Sequence, residues 1–273
     1  MMRTRTYLIN GNFNQVISPL DRGFAYGDGV FRTLKMIKGI PDHWPMHYQK
    51  LVADCAAIGI VCPSAELFIN DFLQLFSLDE VSVAKIIVTR GEGARGYAPP
   101  AITMPTRVVI KSPLPAYAAQ NYKSGVNLHL CETRLAHQPK LAGIKHLNRL
   151  ENVMARMEWK DDSIFDGLLM DQENNVIECT MSNIFARFDD RLVTPDLSMC
   201  GVAGITRQSI IGIKQTLGLH LEVCQLPLNQ LLDADEVIIC NSLYGAFQVR
   251  SIVNKTWAQQ GLASIIRNIF SHD

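Results

Sequence analysis

Two lysines, Lys140 and Lys145, bracket a glycine in the stretch KLAGIKHLNRLENV, residues 140–153. A lysine that attacks a carbonyl must be neutral at working pH, which calls for a partly desolvated position or a cationic neighbour. Lys145 sits between Ile144 and Leu147, where burial would lower its pKa. Lys140 sits in the polar, proline-marked run HQPK and reads as solvated. On pattern alone Lys145 is either a Schiff-base lysine or a lysine lying along a helix start with its head in water.

Four further stretches carry residue types suited to an aldehyde cofactor and a phosphate. GVAGITRQ, 201–208, sets a glycine-rich turn directly before a helix, offering main-chain N–H groups to an anion or forming an ordinary helix start. Glu178, in VIECTMSN, is a carboxylate in an apolar strand. Alternation exposes it, or burial demands a cationic partner such as a protonated pyridine nitrogen. ICNSLYG ends a buried strand with Asn241 and Ser242, as polar site groups or as turn residues. RGEGARGY, 90–97, gathers Arg90, Arg95 and glycines, which suits recognition of a carboxylate by a guanidinium fork or forms a solvated loop.

Other chemistries lack their motifs. There is no Walker-A loop and no H-E-x-x-H. Gly91, Gly93 and Gly96 approximate a dinucleotide fingerprint, but YAPP follows where its helix must begin. His43 and His47 share helical spacing with Pro45 between them, so no metal site is expected. The seven cysteines are scattered, odd in number and form no C-x-x-C pair, which argues for reduced core thiols.

These residues need elements to position them. TYLIN and FNQVI read as two strands about a GN turn, and VFRTLKMI as another strand. HYQKLVADCAAIGI reads as a helix stopped by Gly59, with a second helix after Pro63 capped by Ser64. SVAKIIVTR and TRVVIKS flank the arginine–glycine loop as strands. Beyond the proline-marked run SPLPAYAAQ come NLHLCE as a strand and a helix with Leu147, Leu150, Met154 and Met157 on one buried face. DGLLMD, VIECTMSNIFARF, RLVTP and EVIICNS read as strands, and GITRQSIIGIKQTLGL as a helix. The mixture has no regular βαβ beat, so the expected class is α+β, in two domains. These are residues 1–113, a linker at 114–120, and 121–273.

Length, 273 residues, leaves ample core, and Lys+Arg and Asp+Glu balance at 26 each. Nothing therefore draws the whole molecule to nucleic acid or anionic lipid. No apolar run approaches the roughly 20 residues that span a bilayer, and MMRTRTYLIN lacks a following apolar region. A cytoplasmic protein with a small-molecule partner is expected.

In combination, DRGFAYGDGVFRT (21–33), RGEGARGY (90–97), LAGIKHLNRLENV (141–153), ECTMSNIF (178–185), GVAGITRQ (201–208) and DEVIICNS (235–242) make the chain resemble the fold-type IV family of pyridoxal-phosphate enzymes. That group contains the branched-chain and D-amino-acid aminotransferases. LAGIKHLNRLE and the RGxGxRGY pattern are more particular to its lyases, which convert 4-amino-4-deoxychorismate to 4-aminobenzoate and pyruvate. The resemblance implies a homodimer with pyridoxal 5'-phosphate as cofactor and Lys145 as its covalent lysine. It further implies Glu178 against the pyridine nitrogen, and Ile205, Thr206 and Ser242 around the phosphate. The family's arginine in H-x-x-R-L, which forks onto the phosphate, is here Lys50, a cation without the fork. Arg95, and less directly Arg149, are the implied partners of the substrate carboxylates. An aminotransferase acting on D- or branched-chain amino acids is the alternative.

Overall fold

A computed structural model describes residues 6–270. It divides into two compact units: the chain up to Pro115 together with Ile144–Asn148, and Ala116–Gly143 together with Arg149 onward. The division falls within the proline-marked run, but residues 119–124 of that run and just beyond form a helix. The segment 144–148, which its place in the sequence assigns to the second domain, counts with the first.

In the first unit β1 (Tyr7–Ile9), α1 (Arg22–Tyr26), β2 (Gly29–Ile37), β3 (Ile40–Pro41), α2 (Trp44–Ala57), α3 (Ala65–Leu75), β4 (Val81–Thr89) and β5 (Thr106–Pro113) follow in order. Among the described residues, five strands form an antiparallel sheet in the order β1-β5-β4-β2-β3. The expected hairpin closes by a single bridge, in which Ile9 and Asn12 exchange both main-chain hydrogen bonds (3.1 and 2.9 Å), and no returning strand follows it. Asn10 and Gly11 do make the left-handed turn (φ 49 and 80), yet β1 pairs with β5, and FNQVI is not a strand. Pairing with VVI of β5 leaves the other edge of β1 open, but Val16 and Ile17 of FNQVI are 78 and 42% exposed, so no covered face holds that segment against it. β2 alternates: Val30, Arg32, Leu34 and Met36 are buried, and Phe31, Thr33 and Lys35 less so. Its buried apolar residues join Leu51 and Cys55 of α2 and Phe68 and Phe72 of α3 in one core.

The second unit holds α4 (Ala119–Ser124), β6 (Val126–Leu135), α5 (Leu150–Arg156), β7 (Ile164–Asp171), β8 (Val176–Cys179), β9 (Asn183–Phe188), β10 (Arg191–Pro195), α6 (Ile205–Gly212) and α7 (Lys214–Leu217). β11 (His220–Cys224), α8 (Leu228–Leu232), β12 (Glu236–Asn241), β13 (Gly245–Ile252), β14 (Lys255–Thr256) and α9 (Leu262–Phe270) complete it. Among the described residues nine strands make one mixed sheet, β11-β10-β9-β12-β13-β6-β7-β8, with β14 on β13. One face packs Leu168, Val176, Ile184, Val237 and Phe247; on the other, Ile210 of α6 and Leu262 and Ile266 of α9 cover Phe185, Ile238 and Ala246. The two-unit α+β class read from the sequence is the class observed.

VIECTMSNIFARF is two strands rather than one. Between β8 and β9 the turn at Thr180–Ser182 is held from below by Asp166, which is fully buried. Its carboxylate accepts Thr180 Oγ1 (2.6 Å), Ser182 Oγ (2.6 Å) and the Gly167 N–H (2.8 Å), and Tyr244 donates onward to Ser182 (2.7 Å). Burial pushes the Asp166 carboxyl above its ordinary range, against these hydrogen bonds.

Candidate active site

The lysine stretch differs most from its expected form. Lys145 is not at the start of a helix. Residues 144–148 run extended along the open edge of β2: Phe31 N–H donates to Lys145 O (2.9 Å) and Leu147 N–H to Gly29 O (2.9 Å), with Val30 opposite His146. Ile144, 6% exposed, enters the first unit's core. Lys145 is half-buried, and its Nζ lies 4.7 Å from the centroid of the Phe31 ring. An unpaired strand edge offers main-chain bonds that a helix start cannot match.

The helix begins only at Leu150, and the apolar face expected to be buried is not. Leu150, Val153, Met154 and Met157 are 70, 53, 54 and 75% exposed, while Ala155 packs with Trp159, Leu169 and Ile177. Arg149 is half-buried immediately before that helix. Lys140 is exposed, as expected.

Lys50 lies inside α2 and pairs with Asp54 one turn on. Burial lowers its pKa; Asp54 works the other way. Arg95 is exposed in the loop after β4, and that loop is built from beneath. Arg22, 4% exposed, donates to Gly96 O (2.9 Å), Tyr97 O (3.0 Å) and Asp28 Oδ2 (2.8 Å), and Gly96 N–H donates to Tyr26 Oη (3.0 Å). Arg90, grouped with Arg95 in the sequence, is instead structural. It forks onto Asp28 (2.7 and 2.9 Å) and caps the carbonyls of Ile58 and Gly59. Burial raises the Asp28 pKa, but the Arg90 and Arg22 guanidiniums outweigh it and hold the carboxyl below its ordinary range. A lowered folded pKa contributes stability that is complete above the ordinary carboxylate value and lost as pH falls through the folded value. Asp28→Asn is thus expected to lose about 3 kcal/mol at neutral pH. It should also unfold with a shallower acid limb in denaturant melts followed from pH 7 to 3.

In the second unit three predicted residues come together. Glu178, 4% exposed on β8, accepts the Val202 N–H (2.9 Å). Asn183 at the start of β9 grips the same turn, donating to Val202 O (2.8 Å) and accepting from Gly204 N–H (3.1 Å). The turn tolerates no side chain. Gly201 has φ 83, and a Cβ would lie 2.7 Å from Ile177 Cγ2; at Gly204 a Cβ would lie 2.4 Å from Asn183 Oδ1. α6 then starts at Ile205 and Thr206, 7 and 8% exposed, with no side chain capping its first N–H groups. A buried, uncapped helix start flanked by a carboxylate-anchored glycine turn has donors to offer an anion. Ser242 is half-buried at the end of β12, two residues beyond Cys240, which pairs with Asn183. Asn241 is the last residue of β12 and holds the turn that follows: its Oδ1 accepts the N–H groups of Leu243 (3.0 Å) and Tyr244 (3.2 Å).

Asp54, Arg22, Asp28 and Asn183 were not singled out from the sequence. Asp54 had a signal, since it stands four residues after Lys50 on one helix face; Asn183 is a polar residue opening an apolar strand. Two of the partners of Arg22, the carbonyls of Gly96 and Tyr97, lie more than 70 residues away and left none.

The chain belongs to the amino-transferase class IV family, whose model matches residues 29–252. It is 38% identical over 247 residues to the aminodeoxychorismate lyase of Vibrio harveyi, covering 90% of this chain and 91% of that one. Its structure is similar to that of the 4-amino-4-deoxychorismate lyase from Pseudomonas aeruginosa, with a TM-score of 0.93, 40% identity and 98% of each chain covered. A hypothetical aminotransferase from Mycobacterium tuberculosis, solved in a PLP-bound form, shares the fold at 18% identity (TM-score 0.80, 97% of each chain).

Proposed function

We propose that this chain is a pyridoxal-phosphate-dependent lyase that converts 4-amino-4-deoxychorismate to 4-aminobenzoate and pyruvate. The observation that carries the reading is the likeness, over nearly the whole of each chain, to proteins bearing that activity in their names. The donor set fits the cofactor: an amine on an anchored main chain at Lys145, a buried carboxylate at Glu178, and an uncapped helix start at Ile205 and Thr206.

When bound, pyridoxal 5'-phosphate supplies an aldehyde for amines and a pyridinium ring that accepts electrons. Lys145 would hold the aldehyde carbon, a place for which the substrate amine would compete. Its neutral Nζ then takes the proton from the amine-bearing ring carbon. The enolpyruvyl C–O bond breaks, the carbocycle becomes aromatic, and the same Nζ returns a proton to the enolpyruvate carbon. Glu178 would pair with the pyridine nitrogen and keep it protonated. The N–H groups of Ile205 and Thr206, with the Thr206 and Ser242 hydroxyls, would hold the phosphate, and Lys50 would add charge without a guanidinium's fork. Arg95 takes a substrate carboxylate, and Arg149 is the further candidate.

The same reading makes the protein a cytoplasmic homodimer with no nucleic-acid or membrane partner. Among the described residues no helix is long and apolar enough to cross a membrane. The exposed Leu150, Val153, Met154 and Met157 supply an apolar face of the kind a second copy covers, and sedimentation reads the oligomeric state. An aminotransferase with the same lysine is the second reading, favoured by the family itself. The deciding assay supplies 4-amino-4-deoxychorismate with no 2-oxo acid. Sustained 4-aminobenzoate formation is expected; turnover only after an oxo acid is added would reject the lyase.

A further inference from the structure

We propose that Asp54 is a positioning residue for Lys145, held in place by Arg32 and Lys50. The proposal rests on the reading of Lys145 as the cofactor lysine.

Alternation along β2 puts Arg32 on the core face with Val30, Leu34 and Met36, where it is 3% exposed. A guanidinium buried there needs an anion. α2 lies on that face and supplies one: Asp54, 1% exposed, stands three residues after Leu51 and one before Cys55, both core residues. Arg32 Nη2 donates to Asp54 Oδ2, and Lys50 Nζ donates to Oδ1. Arg32 Nε is buried without a hydrogen-bond partner. His47, 3% exposed, belongs to the same surroundings. Burial first, then the charges of Arg32, His43 and Lys145, drive its pKa down to about 3, so it adds no charge at neutral pH. Two cations thus share one carboxylate.

That carboxylate has a third partner. Asp54 Oδ2 accepts the main-chain N–H of Lys145 (3.3 Å), while Lys145 O accepts from Phe31 N–H (2.9 Å). The main chain of Lys145 is therefore tied to the sheet edge by its carbonyl and to α2 by its N–H. These two ties fix where Cα points Cβ, and hence the reach of Nζ from its place beside the Phe31 ring. A proton-transferring group displaced by about 1 Å costs on the order of 100-fold in rate. Lys50 gains a role independent of any phosphate: it holds the Asp54 carboxylate by its other oxygen. Where the resemblance implies a forked cation the chain has Lys50, and Arg32 brings a guanidinium to the same carboxylate.

Two variants of the cofactor-loaded enzyme test this. Asp54→Asn keeps an acceptor oxygen but removes the charge that faces Arg32. The double variant Arg32→Met with Asp54→Leu replaces the buried pair with apolar side chains of similar size, an exchange that leaves many folds stable. Three quantities are read: kcat and KM separately, the pH midpoint of the bound cofactor's absorbance change, and the affinity of the cofactor-free enzyme for pyridoxal 5'-phosphate. In the double variant kcat should fall about 10- to 100-fold with KM little changed, and the absorbance midpoint should move. Cofactor affinity should weaken less than kcat falls. Asp54→Asn should move the same midpoint in the same direction. A folded double variant with wild-type kcat and an unmoved midpoint overturns the role of Asp54. Failure to find the cofactor on Lys145 after reductive trapping would instead reject the lysine assignment, so the two failures are separable.

Discussion

Lys145→Ala is expected to abolish turnover, with kcat lower by at least about 10⁴-fold, the upper end for losing a general acid–base group. On the proposed function two roles disappear together, the covalent hold on the cofactor and the base that moves the proton. The fold should survive. Lys145 places its main chain, not its side chain, in the β2 pairing, and alanine keeps both the N–H bond to Asp54 and the carbonyl bond from Phe31. The Nζ–Phe31 contact is lost, at about 0.5–1 kcal/mol. Borohydride reduction of the wild-type enzyme followed by peptide mapping should put the cofactor on Lys145. A label on Lys140, which is exposed in the polar run after β6, would overturn the assignment.

Glu178→Gln is the second large effect. An amide oxygen can still accept the Val202 N–H, so the glycine turn and the start of α6 should keep their geometry, and the melting temperature should change by only a few degrees. On the proposed function the charge that would hold the pyridine nitrogen protonated is lost, and with it the ring's capacity to take up electrons. By comparison with other preorganised electrostatic groups, kcat should fall about 10²- to 10³-fold. Cofactor affinity should weaken less, because Ile205 and Thr206 are unaltered. If kcat stayed within twofold of wild type, Glu178 would be a structural anchor for the turn and nothing more. Glu178→Ala separates the two roles further, since it also frees the Val202 N–H and should loosen the 201–204 turn in hydrogen exchange.

Much of the fold was legible because period and punctuation agree in most elements. β2, β4 and β5 alternate or run apolar between turns, and α2 ends where Gly59 takes a left-handed φ of 69. α3 starts after Ser64 as expected, although no side-chain cap bond forms there. The misreadings share a cause. FNQVI and the stripe Leu147, Leu150, Met154, Met157 carry the right residue types, but period says only which residues would share a face, never whether anything covers it. Glu178 shows the converse: all four residues of β8 are buried, so strand alternation did not expose it.

By itself the sequence determined the chemical inventory: which residue could hold an aldehyde, which turn could hold a phosphate, and to which family both belong. These are local properties of residue type, spacing and order. Tertiary structure decided what each group touches. It placed Lys145 on a strand edge instead of a helix start, turned Arg90 into a brace for Asp28, and set Lys50 and Arg32 on one buried carboxylate. Those outcomes depend on hydrogen-bond partners tens of residues away and on which faces are covered, and long-range competition for partners and for burial leaves no mark in local pattern.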